Sequence, residues 1–418
     1  MSARRLRVAL LSLHSNPLGA LGTRDTGGMS VYVRELAREL GCRGHVVDVY
    51  TGVRPPGLAR VAPLAGGARL VHLDGGVGAG VRDGLYPRLP RYFEALESFR
   101  AARGAAYDLV YSHYWLSGKL GTWASALWGA PHVTMFHTLG AVKNALACGE
   151  DEPQVRLAEE AALARRCDLL VAPTRSERDH LVRLYGAAPE KVAVIPCAVD
   201  RDRFRTAPKA RARRRLGLGA EETVLLYVGR FAPVKGLDLL LSALPLLREC
   251  GPVRLLVVGG DGAEGRPPPE LRSLAQRCGR AASVRFVGRV PQEALAPYYS
   301  AADALVVPSR YESFGLVTLE ALACGTPVVA TPVGAAADVI RPGVNGALAA
   351  AATAEALAAA LQSALERFRS FPPEPHRVRA AVAGYTWPRV VSALLDRCGG
   401  LLEPVRPCGQ PCVSGCLA

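Results

Sequence analysis

Residues 303–331 read DALVVPSRYESFGLVTLEALACGTPVVAT. The opening DALVVPS and the closing TPVVAT are short apolar runs that do not alternate with polar residues, as expected of strands covered on both faces. Between them Ser313-Phe314-Gly315 turns the chain into LVTLEALACG, long enough and apolar enough for a buried helix. Strand, helix and strand in this order form a βαβ unit of a parallel sheet.

The same rhythm extends outward in both directions. LRVALLSL, HVVDVYT, DLVYSH, HVTMFHT, DLLVAPT and KVAVIPC read as strands in the first half, and TVLLYVGR, VRLLVVGG and SVRFVGRV precede the two already quoted in the second. Helical stretches lie between them; in VYVRELARELGCRGH, Val31, Val33, Leu36 and Leu40 face inward and Gly41 is a natural stop. One sheet does not comfortably hold so many strands. The predicted fold is therefore α/β, with two Rossmann-like, doubly wound parallel-sheet domains and an interdomain cleft. The units are expected at 1–205 and 206–397, followed by a loose Cys/Pro/Gly-rich tail at 398–418. Ligands of such sheets bind beyond the carboxyl ends of the strands, so the site belongs in the cleft.

The totals are less specific. The 418 residues carry a net charge of +14 and are 50% hydrophobic. The basic residues are spread along the chain, which argues against a nucleic-acid partner. The dense run Arg211–Arg215 reads as a solvated helix start in a linker. Of 11 cysteines, Cys42, Cys148, Cys167, Cys197, Cys250, Cys278 and Cys324 lie singly, as suits a reducing cytoplasm. Cys398, Cys408, Cys412 and Cys416 fit no zinc spacing. The apolar run Val8–Leu13 is too short for a signal peptide, and no run reaches membrane-spanning length.

Several residues at strand ends suit anionic sugar chemistry. Glu312 precedes the quoted helix and Glu320 lies more than a turn inside it, with anion-binding amides at the turn between them. Eight helical residues span about 12 Å. A hydrolytic carboxylate pair is set closer, at about 5 Å for retention and roughly 6.5 to 9.5 Å for inversion. Two binding points, one for each sugar of a nucleotide-sugar, fit better. Arg230 and Lys235 in VGRFAPVKG follow a strand and can neutralise a diphosphate. Gly27-Gly28 opens the first long helix and admits an anion close to its amides. His113, Tyr114, His137 and Thr138 fall at strand ends and are expected to face the same cleft. No GxGxxG fingerprint follows the first strand, and no GxxxxGK[ST], HExxH or CxxC pattern occurs, which argues against dinucleotide, P-loop and metal chemistry.

GGMSVYVRELARELGCRGHVVDVYT, VGRFAPVKGLDLLLSAL and VPSRYESFGLVTLEALACGTPVVAT together resemble the family-four retaining glycosyltransferases of GT-B fold, from about Arg4 to Arg397. SHYWLSG and HTLGAVKN are most similar to the branch that glycosylates inositol phosphate in mycothiol synthesis; sucrose-phosphate synthases are more distant. The resemblance implies transfer of a sugar, with retention, from a nucleotide-sugar (UDP-N-acetylglucosamine favoured) to an acceptor hydroxyl, with neither cofactor nor metal. It implies that Arg230 and Lys235 hold the diphosphate, Glu312 the sugar, Glu320 the ribose and Arg289 the base, with His137 near the reacting centre. Gly27, Gly28, Phe314, Gly315, Leu316 and Val317 complete the donor site, and Arg88, Tyr114, Thr138 and Arg156 bind a phosphorylated acceptor such as inositol phosphate. Arg88 and Arg91 stand where that branch has a lysine, Ser30 where it has an asparagine, and the loop after Asn144 is short. The expected setting is the cytoplasm, with small-molecule substrates. Three alternatives stay open: a lipid-linked or natural-product acceptor reached by peripheral contact with the inner membrane face, a non-catalytic nucleotide-binding relative, and a homodimer.

Overall fold

The computed structural model describes residues 4–19, 21–22, 26–52, 59–75, 84–149, 151–247, 253–260, 266–277 and 284–402. The first sheet comprises β1 (Arg7–Leu11), β2 (Val46–Thr51), β3 (Val61–Pro63), β4 (Arg69–His72), β5 (Leu109–His113), β6 (His132–Met135), β7 (Leu169–Ala172) and β8 (Val192–Val194). Its order is β3-β4-β2-β1-β5-β6-β7-β8, with β3 antiparallel to β4 and the other pairs parallel. The second comprises β9 (Thr223–Gly229), β10 (Val253–Gly259), β11 (Val284–Gly288), β12 (Ala304–Val307), β13 (Val328–Ala330) and β14 (Gly346–Leu348). It is parallel throughout, in the order β11-β10-β9-β12-β13-β14.

The apolar runs are continuous because each strand feeds two layers. In β1, Val8 and Leu10 join one core cluster while Ala9 and Leu11 join another on the opposite face. In β9, Val224 and Leu226 face one way and Leu225 and Tyr227 the other. The cluster holding Val8 and Leu10 also holds Val224 and Leu226, so one core runs through both units. The last helix, Trp387–Leu402, lies on the first unit, where Trp387 meets Tyr32 edge-on at 5.5 Å. Arg43 Nη1 donates to Ser392 Oγ at 3.0 Å and Arg4 Nη1 to the Leu402 carbonyl at 3.0 Å.

All eleven anticipated runs are strands, and β3, β4 and β14 are additional. β4 contains only two apolar residues, Leu70 and Val71, and its Arg69 grips the buried Asp48 of β2 at 2.7 Å. Gly41 does not stop the first helix, which runs Gly28–Cys42. It marks a close approach instead: a Cβ there would lie 2.2 Å from the Gly66 carbonyl oxygen. The basic run is not fully solvated. Arg213, 6% exposed in the helix Lys209–Leu216, donates to Asp303 Oδ2 at 2.7 Å and to the Ala301 carbonyl at 3.1 Å. Cys398 belongs to the buried face of the last helix rather than to a loose tail. Cys250, Cys278, Cys408, Cys412 and Cys416 lie outside the described residues.

Candidate active site

Loops at the carboxyl ends of β1, β5, β6, β9 and β12 enclose a cavity of about 1220 Å³ between the two sheets. Gly27, Gly28, Tyr114, His137, Thr138, Arg156, Arg230, Lys235, Glu312, Phe314, Gly315, Leu316 and Val317 all line it.

At one end the chain leaves β12 and turns through Tyr311–Gly315 into the helix Leu316–Ala323. Gly315 supplies the turn with φ 92°, which L side chains rarely adopt. Glu312 Oε1 accepts from Lys235 Nζ at 2.7 Å and from Ser309 Oγ at 2.8 Å. Arg310 clamps the loop that carries Lys235, donating to the Pro233 carbonyl at 2.8 Å and to Asp238 Oδ1 at 2.9 Å. Tyr227 Oη donates to the Arg230 carbonyl at 2.7 Å and fixes that backbone. Gly28 faces this end from the first unit, with Leu316 Cδ1 3.5 Å from where its Cβ would be.

At the other end Arg156 is 1% exposed. It donates through Nε to Glu160 Oε1 at 2.7 Å and through Nη2 to the Thr138 carbonyl at 2.9 Å and Oγ1 at 3.0 Å. Nη1 lies 2.7 Å from Glu152 Oε2, and the guanidinium stacks 4.8 Å over the Tyr114 ring. Tyr114 Oη and Trp115 Nε1 are buried and find no hydrogen-bond partner among the described residues, and both residues line the cavity. The backbone is strained here, with φ 74° at Tyr114 and 62° at His137. His137 Nε2 lies 3.0 Å from His113 Nδ1. Burial lowers the His137 pKa to about 3, so the imidazole is neutral at ordinary pH.

Four residues expected at the cleft are not among those that line the cavity. Glu320 is outside the cavity: its oxygens accept from Gln292 Nε2 at 3.0 Å and Tyr299 Oη at 2.7 Å, and burial raises its pKa. It faces inward because the helix packs that side against the core. Arg289 is also absent from the lining and lies beside Gly22 of the first unit. Arg88 is absent from the lining, which includes its neighbours Tyr86 and Pro87. His113 stands behind His137, fully buried. Ser30 is likewise buried, hydrogen-bonded to Ser15 Oγ. Sequence reasoning missed His14, Tyr86, Lys143 and Glu152 in the lining. Of these, only His14 carried a usable signal, being just past a strand end.

The profile described as Glycosyltransferase Family 4 matches residues 26–203, and that of Glycosyl transferases group 1 matches 208–381. A D-inositol 3-phosphate glycosyltransferase of Geodermatophilus obscurus is 40% identical over 100% of this chain and 94% of its own. The chain belongs to the GT-B glycosyltransferases. Among solved members of this fold, a sucrose-phosphate synthase from Thermosynechococcus elongatus is similar with TM-score 0.85 and 32% identity, over 95% of this chain and 99% of that one. Anabaena HepE, solved in complex with UDP-glucose, shares the fold at TM-score 0.74 and 20% identity, over 95% and 100%. As a glycosyltransferase the chain is an enzyme that uses a nucleotide-sugar. Among the described residues no helix is long and apolar enough to cross a membrane.

Proposed function

We propose that this glycosyltransferase moves a sugar from UDP-N-acetylglucosamine to a hydroxyl of a phosphorylated polyol such as inositol phosphate, in the cytoplasm, with retention and without a metal. The unit at 1–205 serves the acceptor and that at 206–397 the donor. The observation that carries this reading is the meeting of Arg230, Lys235, Glu312 and the turn before Leu316 at one end of a cavity whose other end holds Tyr114, Thr138 and Arg156. The Geodermatophilus relative's name supports the acceptor class, and HepE's complex supports a uridine-diphosphate donor.

Arg230 and Lys235 take up the charge that develops on the departing diphosphate, replacing a divalent cation. The first amides of the helix Leu316–Ala323 add their partial positive charge. Glu312, held by Lys235 and Ser309, accepts from donor-sugar hydroxyls rather than attacking carbon. The bond to the leaving phosphate breaks as the acceptor oxygen approaches from the same face, and the acceptor proton passes to the departing phosphate oxygen. Neutral His137 contributes hydrogen bonding and shape, not a proton. Arg156, Thr138 and Tyr114 hold the acceptor phosphate.

The test is UDP release from UDP-N-acetylglucosamine with and without inositol 1-phosphate, with the product weighed by mass spectrometry and the anomer read by NMR. Acceptor-dependent release with summed mass and retained configuration is expected, unchanged in EDTA. Acceptor-independent silence would remove inositol phosphate and direct the search to lipid-linked or natural-product acceptors; inhibition by EDTA would remove the metal-free mechanism.

A further inference from the structure

Glu177 is a buried carboxyl for which the transfer chemistry has no use. It sits in the first turn of the helix Arg175–Tyr185 and is 2% exposed. Thr174 caps that helix, its Oγ1 accepting from the Glu177 amide at 3.1 Å. In a capping box the acidic side chain turns back to the cap amide. Here Glu177 Oε2 reaches across the cleft and accepts from Ser313 Oγ. Its other oxygen, Oε1, is buried and finds no hydrogen-bond partner among the described residues. Ser313 follows Glu312 in the turn into the helix Leu316–Ala323. The first unit grips that turn a second time, where Tyr311 Oη accepts from the Leu139 amide at 3.2 Å.

We infer that Glu177 is a positioning residue for the donor: through Ser313 it latches the turn Tyr311–Gly315 against the first unit, and so fixes Glu312 and the amides beyond Gly315 where the nucleotide-sugar binds. This rests on reading that turn as the donor end. The groups facing Glu177 are Ser313 and Tyr311 from the turn, Glu160 from the helix Gln154–Arg166, and Cys197 beyond β8. Burial first, and the Glu160 charge after it, push its carboxyl up to about 8, so the latched side chain is protonated at neutral pH. A solvated glutamate titrates near ~4.3. Latching therefore binds a proton, is fully favoured below the ordinary carboxylate range, and weakens as pH rises toward about 8.

Donor kinetics and UDP titration calorimetry test the latch. Glu177→Ala and Ser313→Ala are each expected to raise donor KM and UDP Kd about tenfold, equivalent to ~1.4 kcal/mol, with kcat within about twofold. Glu177→Gln, neutral and of the same shape, is expected to keep the wild-type KM near neutrality and to abolish its rise with pH. Unchanged KM and Kd in both alanine variants would overturn the inference, as would a glutamine variant as impaired as the alanine one. If Glu177→Ala does not fold, Ser313→Ala decides alone. Loss of compaction in small-angle scattering of the unliganded alanine variants reads the latch without turnover. Wild-type protein that transfers from no nucleotide-sugar sinks the functional reading and leaves that scattering result standing.

Discussion

Lys235 and Glu312 are placed to work as a pair, because each fixes the other at 2.7 Å while both line the cavity. Removing either leaves a charge in a partly desolvated site. A charge-assisted contact is worth roughly 1.5 to 3 kcal/mol, so Lys235→Ala should lower kcat/KM by about 10- to 100-fold, measured by UDP release. A change below about threefold would sink its role at the diphosphate. His137 makes a different kind of prediction. Its pKa of about 3 leaves it neutral, and lowering pH would charge it only far below the working range. Rate profiles at saturating donor should therefore show no imidazole limb between about pH 5 and 8; a limb near ~6.5 that vanishes in His137→Asn would contradict this. At this scale the meeting of Lys235 and Glu312 in one cleft was legible, since both follow strands that point into it, but their ion pair was not. The burial of Glu320 was not. Spacing gives its position along a helix, whereas Gln292 and Tyr299, which hold its carboxyl outside the cavity lining, come from elements 28 and 21 residues earlier.

Among the elements, the long apolar strands announced themselves because two layers of helix cover them. β3, β4 and β14 read VAP, RLVH and GAL, where a proline, flanking polar residues or a glycine leave no continuous apolar run to recognise. The helix Lys209–Leu216 shows how composition misleads. A run of arginines looks solvated, yet Arg213 inserts into the second unit and meets Asp303, whose Oδ2 also accepts from the Val224 amide at 2.6 Å at the start of β9. Arg213→Ala leaves that carboxylate and the Ala301 carbonyl short of a donor. The expected cost is about 3 kcal/mol of folding stability, read from urea unfolding of wild type and variant. A loss under about 0.5 kcal/mol would return this arginine to the solvated class.

For the whole molecule, the alternation of strand and helix was enough to anticipate two sheets and a cleft, because that architecture follows from local periodicity. The way the units are fastened was much less legible. Val199 N donates to the Tyr385 carbonyl at 3.2 Å, and Arg379 donates to the Arg201 and Phe204 carbonyls at 2.7 and 2.6 Å. Truncation before Trp387 would strip Tyr32 of one of its ring partners and expose the core it covers. We expect a chain that no longer unfolds in one transition, seen by calorimetry as a broadened or split melt; a single sharp melt at the wild-type temperature would contradict it.

The last helix's return has a mechanical meaning. The polypeptide passes between the units twice, near residues 195–208 and again at 381–387, and the two passages are bonded side by side. A single tether would let one half swing and twist in any direction. Two adjacent tethers act as a pair of hinge pins, leaving one line about which the cleft can open. A cleft opened about that line would close again with Ser313 on Glu177 and Tyr311 on Leu139.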